Sequence, residues 1–152
     1  MNPIFKKLNF KNQDKVLILN APKVFESAMM EMTNFTEIHT EVAAEKYDFI
    51  LAFAKIQIDL NAAIEAIEDH INEGDTIVWF AYPKKSSKLY KSDITRDSGW
   101  EYIGKLNVEP VRSVAIDTDW STLRWRKVKF IKNLKRKFGA YSEEGKKRVK
   151  DN

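Results

Sequence analysis

Three nearly all-apolar runs, at residues 16–19 (VLIL), 47–53 (YDFILAF) and 76–82 (TIVWFAY), punctuate this chain. Short continuous apolar runs are the mark of strands covered on both faces, as in a parallel sheet. Residues 35–42 (FTEIHTEV) alternate instead and predict a further strand, second in chain order. Helical spacing fills the intervals. Val24, Phe25, Ala28, Met29 and Met32 predict a helix over 22–32, with Pro22 suited to its first turn. Leu60, Ala63, Ile64, Ile67 and Ile71 make a second helical stripe, with Asp59, Glu65, Glu68 and Asp69 between them and Gly74 as a left-handed cap. A third helix is expected over 94–106, with Trp100, Ile103 and Leu106 facing inward. Residues 108–116 and 123–130 both alternate about a turn-like segment, 117–121, and predict an antiparallel hairpin. The imperfect spacing of Leu123, Trp125 and Val128 points to a bulge in the second of these strands. Residues 1–14 read as a polar lead-in anchored by Ile4, Phe5, Leu8 and Phe10. Phe130, Ile131, Leu134 and Phe138 predict a basic amphipathic helix closed by Gly139, with a frayed end beyond it.

Strand, helix, strand, strand, helix, strand, helix, hairpin predicts an α/β fold. The expected architecture is an open, mostly parallel Rossmann-like sheet with flanking helices, ending in an antiparallel hairpin and followed by a basic C-terminal tail. Residues 1–130 are expected to form a single domain and 131–152 a basic, partly helical or flexible tail. The closing hairpin resembles the C-terminal half of class I S-adenosylmethionine-dependent methyltransferases. The segments VLILNAP (16–22), WFAYPKKSSKLYKSDITRD (79–97) and VRSVAIDTDWSTLRWRKV (111–128) are similar to those of a family of short bacterial proteins of unknown function. That resemblance spans residues 15–128 and implies a Rossmann-like, truncated-methyltransferase-like fold. It carries over no activity, because the family has none established.

Composition narrows the chemistry. The 152 residues contain no cysteine, which excludes disulfides, thiolate metal sites and cysteine nucleophiles. No apolar run approaches the roughly 18 residues of a membrane helix, and no signal-type segment opens the chain, so a cytoplasmic protein without a membrane span is expected. The net charge of +4 conceals a division. Residues 1–123 hold 14 Lys/Arg against 19 Asp/Glu, a balance of −5, whereas residues 124–152 hold 12 against 3, a balance of +9. Such asymmetry fits either an anionic partner for the tail or a solvated helix.

The candidate sites follow from these elements. Where dinucleotide and methyltransferase folds place a glycine-rich turn after the first strand, this chain has Asn20-Ala21-Pro22-Lys23, with no glycine and with a proline that lacks an N–H. Asn20 remains a candidate ligand contact or helix cap, and Glu41 a weak candidate for ribose hydroxyls. The loop Lys84-Lys85-Ser86-Ser87-Lys88, with Ser92 and Arg96 beyond it, is the leading anion-site candidate: ammonium groups and hydroxyls follow a buried strand. Ser92 is expected to cap the following helix, and Arg96 to bridge Asp93 or Asp97. Lys132, Lys135, Arg136 and Lys137, interleaved with aromatics, are candidate nucleic-acid contacts. Asp117 and Asp119 read as a turn rather than a cation site, with Trp120 plugging the sheet end. His39 and His70 lack ligand or triad spacing, and neither a Walker loop nor a G-x-S-x-G elbow occurs.

These observations favour a non-catalytic binding module that takes an anionic small molecule or a nucleic acid at the Lys84 edge, and leave open whether the chain is an enzyme. The first alternative is a divergent S-adenosylmethionine-dependent methyltransferase, disfavoured by the absent glycines and the absent Asn/Asp-Pro-Pro-Tyr type of catalytic motif. The second is a protein-interaction scaffold using the open sheet edge or the aromatic-rich hairpin. The sequence names no cofactor and fixes no oligomeric state.

Overall fold

In the computed structural model, which describes residues 1–134 and 140–151, six strands form one mixed sheet. Four run parallel: β1 (Lys15–Leu19), β2 (Glu37–His39), β3 (Phe49–Phe53) and β4 (Ile77–Pro83). β5 (Val108–Ala115) and β6 (Trp120–Lys127) close the sheet as an antiparallel hairpin, giving the order β2-β1-β3-β4-β6-β5. The apolar runs are continuous because successive side chains feed two separate cores. On one face Leu17, Ile50, Ala52, Val78 and Phe80 meet Leu60, Ile64 and Ile67 of α3 (Gln57–Ile67) together with Trp100 and Ile103. On the other, Val16, Ile18, Leu51, Phe53, Trp79 and Ala81 meet Phe25, Ala28 and Met32, contributed by a 3-10 turn (Lys23–Phe25) and α2 (Glu26–Met32). This is the expected α/β architecture, a mostly parallel sheet with an antiparallel pair and flanking helices.

Several local expectations are corrected. The lead-in contains a helix, α1 (Pro3–Lys7), capped by Asn2 Oδ1 accepting from the Ile4 N–H at 2.9 Å. It is anchored to the sheet by the Trp79 indole, which donates to the Leu8 carbonyl at 2.8 Å. β2 stops at His39, because the next turn is captured by the Tyr47 hydroxyl, which accepts from the Ala43 and Ala44 N–H groups at 3.0 Å each. The helix expected over 94–106 is only a 3-10 segment, Glu101–Leu106. Before it, Gly99 sits at φ +97° and Trp100 Nε1–H donates to the Thr95 carbonyl at 2.7 Å, a turn that no helix accommodates. The bulge lies in β5, between Pro110 and Arg112, not in β6.

The basic helix expected at 130–138 is replaced, where residues are described, by a 3-10 turn at Val128–Phe130; residues 135–139 lie outside the described residues. The frayed end is instead α4 (Glu143–Asp151), tied to the domain at its start. Glu109, fully buried, accepts from the Tyr141 N–H at 2.9 Å and from both the Ser142 N–H and the Ser142 hydroxyl at 2.6 Å. Arg148 donates to the Val128, Ile131 and Lys132 carbonyls. Among the described residues no helix is long and apolar enough to cross a membrane.

Candidate functional site

The strand order reverses direction at β1: β2 lies on one side of it, β3 and β4 on the other. Connections leaving the carboxyl ends of β1 and β3 therefore diverge, and open sheets bind ligands in the crevice this creates. Here that crevice is a cavity of about 700 Å³ lined by residues that include Asn20, Lys23, Phe53, Lys55, Asp59, Tyr90 and Trp120. Its volume lies within the range of small-molecule sites, about 300–1,000 Å³.

Each wall has a local cause. Asn20 ends β1 in the left-handed conformation (φ +60°), the one that a glycine-rich turn uses and that asparagine tolerates best among residues with a side chain. Lys55 follows the all-buried β3 and places its ammonium 5.0 Å from the centre of the Tyr90 ring. Asp59 lies in the first turn of α3. That helix begins at a residue, Ile56, with no oxygen to cap it, and Asp93 supplies the missing acceptor from 36 residues away, its Oδ1 taking the Gln57 N–H at 2.8 Å. Trp120 packs edge-on against Phe53, with centroids 5.2 Å apart, and lies 5.3 Å from Tyr90. Its position is set by Asp117, whose Oδ1 accepts from the Asp119 and Trp120 N–H groups at 2.8 Å each. Tyr90 is held through Ser87, whose hydroxyl donates to Asp119 Oδ1 at 2.7 Å and accepts from the Tyr90 N–H at 3.2 Å.

Of the ligand contacts expected from sequence Asn20 lines this cavity, joined by the rest of its turn, Ala21 to Lys23, and by Trp120 at the sheet end. Lys84, Lys85, Ser86 and Arg96 are brought together elsewhere, in a more open pocket of about 510 Å³ beside Tyr82, Thr95, Asp97 and Ser121. There burial pushes the Tyr82 phenol up, against the opposing pull of a hydrogen bond with Ser121 and the charge of Arg96. Ser87 serves the Tyr90 turn, and Lys88 is exposed and lines neither pocket. Ser92 caps no helix: its hydroxyl accepts from the Ile94 N–H at 3.0 Å within a loop. Among the described residues Arg96 forms no ion pair with Asp93 or Asp97. Glu41 does not line the cavity. Lys132 is exposed, and Lys135, Arg136 and Lys137 lie outside the described residues. No cluster of three metal-ligating side chains occurs among the described residues. Lys55, Asp59 and Tyr90 were missed, while Lys23 was noted as part of the turn and Trp120 as a plug of the sheet end. The rule that ligands sit past the carboxyl ends at the strand-order reversal could have found Lys55, the first charged residue beyond the second of those strands.

No family model matches the chain, and no curated protein matches it in sequence. The resemblance to a family of unknown function therefore reduces to a methyltransferase-like Rossmann fold. Among solved structures the chain is similar to the N-methyltransferase NodS from Bradyrhizobium japonicum WM9, with a TM-score of 0.50 and 11% identity over 82% of this chain and 91% of that one. It is also similar to the pyocyanin biosynthetic protein PhzM, with a TM-score of 0.51 and 11% identity over 84% of this chain but 54% of that one. At such identities the likeness is one of fold. It corrects the expectation of a non-catalytic module built on the Lys84 edge: the fold is methyltransferase-like, and the strand-reversal cavity lies at Asn20 and Lys55, apart from the Lys84 pocket.

Proposed function

We propose that the chain is an S-adenosylmethionine-dependent methyltransferase. The observation that carries this reading is the cavity of about 700 Å³ at the strand-order reversal of a methyltransferase-like sheet.

The lining chemistry suits the ligand. S-adenosylmethionine ends in a zwitterion, for which Lys23 and Lys55 offer cations to the carboxylate and Asp59 an anion to the ammonium. Tyr90, backed by the buried Phe53 and Trp120, presents aromatic surface for the adenine or the sulfonium, and Asn20 a side-chain amide for a hydroxyl. Two departures shape how this chain would hold it. Pro22 gives the turn no N–H, so contacts there fall to side chains. Among the described residues the one lining carboxylate, Asp59, comes from α3 and not from the end of β2. When bound, the cofactor supplies an electrophilic methyl group. The residues around it position it, and the Trp120–Tyr90 wall limits water. In this reading Lys84, Lys85 and Arg96, which line the separate pocket on the same sheet edge, bear on the acceptor and not on the cofactor.

Isothermal calorimetry with S-adenosylmethionine and S-adenosylhomocysteine tests this. Saturable heat is expected from both, weakened about tenfold by Tyr90→Ala, the equivalent of about 1.4 kcal/mol of lost stacking. No heat at millimolar ligand sets the reading aside.

A further inference from the structure

Away from the carboxyl edge, the hairpin carries an arrangement that folding alone does not explain. Arg124 of β6 stands in register between Trp79 of β4 and Arg112 of β5, so two guanidinium side chains leave one sheet face from directly opposed positions. Like charges so placed repel, with Cβ atoms about 5 Å apart. A third, Arg126, is already matched: its Nε and terminal nitrogen donate to both oxygens of Asp75 at 2.9 and 2.5 Å. No carboxylate answers the other two among the described residues. Arg124 is half-buried, and its Nε is fully enclosed with no hydrogen-bond partner. Burial depresses its basicity, and the charges of Arg126 and Arg112 depress it further, with only Asp75 opposing. A half-buried cation is thus held beside a like charge with its Nε unpaired, while Arg112 beside it is exposed.

We propose that Arg112 and Arg124 form a binding site for a dianionic phosphate group, free or as a phosphomonoester. Two guanidinium forks match the charge of one dianion, and each can donate two parallel N–H bonds to its oxygens. The enclosed Nε of Arg124 leaves its terminal nitrogens to meet the anion, and the Nε–H reports the change in charge beside it. The site does not depend on methyltransferase activity.

The test is nitrogen-15 NMR of the full chain, in which arginine Nε–H signals are resolved and that of Arg124 is identified by its loss in Arg124→Lys. Titration with inorganic phosphate is expected to move this signal saturably at millimolar concentration, and Arg112→Gln, which alters only an exposed side chain, to weaken the response about tenfold. A phosphomonoester such as glycerol phosphate acting at lower concentration than inorganic phosphate identifies a metabolite as the source; equal potency identifies the free ion. A signal that stays fixed, that moves equally with acetate at matched ionic strength, or that responds unchanged in Arg112→Gln overturns the proposal. So does a diester oligonucleotide that outcompetes both phosphates.

Discussion

Replacing Glu109 with alanine should release the C-terminal helix while leaving the sheet intact. The carboxylate is fully buried and takes three donors: the Tyr141 N–H, the Ser142 N–H and the Ser142 hydroxyl. Hydrogen bonds to a charged acceptor contribute about 1.5–3 kcal/mol each, so the clamp holds on the order of 5 kcal/mol in gross terms. Beyond the clamp the helix is held by Arg148, which donates to the Val128, Ile131 and Lys132 carbonyls, and by Val149, which joins the small apolar cluster of Val128, Ile131 and Leu134. Once the clamp is gone, undocking costs less than keeping three donors buried and unpaired, and the loss is capped by the docking free energy of a few kcal/mol. Native-state hydrogen exchange should therefore show the amides of α4 and of Ser142 exchanging at least a hundredfold faster in Glu109→Ala. The amides of β3 and β4 should be slowed as before, apart from a modest shift. Unchanged protection in α4 would refute the clamp; equal loss of protection in β4 would refute the view that the helix is a separable outer layer.

Gly104→Ala approaches the same junction from the other side: a Cβ there would clash with the Tyr141 carbonyl oxygen, so circular dichroism and proteolysis should report the same release of α4. Ser87→Ala removes the hydroxyl that joins Asp119 to the Tyr90 turn. It should lower stability by about 1 kcal/mol in urea unfolding and weaken S-adenosylmethionine binding with it. Lys84→Ala combined with Lys85→Ala, in the separate pocket, should leave the calorimetric affinity for the cofactor within about twofold, about 0.4 kcal/mol. Asp75 is held below the ordinary carboxylate range, chiefly by its hydrogen bond to Arg126. Because its folded-state affinity for protons is depressed, the stabilisation is present at neutral pH and lost as pH falls below the ordinary Asp value. Asp75→Asn should flatten that part of the acid limb in a pH series of thermal melts.

The strands were legible where burial is two-sided. Ile50, Leu51 and Ala52 leave no polar face because helices cover both sides of β3, and the same holds for Val78 to Ala81 in β4. The hairpin was legible from its alternation, although its bulge was assigned to the wrong strand: Pro110 cannot donate to the ladder, and the irregularity falls beside it. The helix expected over 94–106 from Trp100, Ile103 and Leu106 failed because their spacing suits a helix while Gly99 turns the chain at positive φ. The five residues of α1 were too few for periodicity to register, and their worth lies in what Phe5 and Leu8 cover. The cavity itself was half legible. Asn20 stood at the end of an obvious strand, but Tyr90 and Trp120 become its wall only through Ser87, Asp117 and Asp119, contacts that close over distances no local pattern reports. The lysine loop drew notice by its density of charge, which marks a solvated edge as readily as a site.

The most direct measurement is a crystal structure of the full chain grown with S-adenosylhomocysteine. The ligand is expected between Asn20 and Tyr90, with its amino-acid end toward Lys55 and Asp59 and an aromatic face of the cavity against the adenine. Ligand density at the Lys84–Arg96 pocket instead, or none at either place from saturating solution, would contradict a cofactor site at the strand-order reversal.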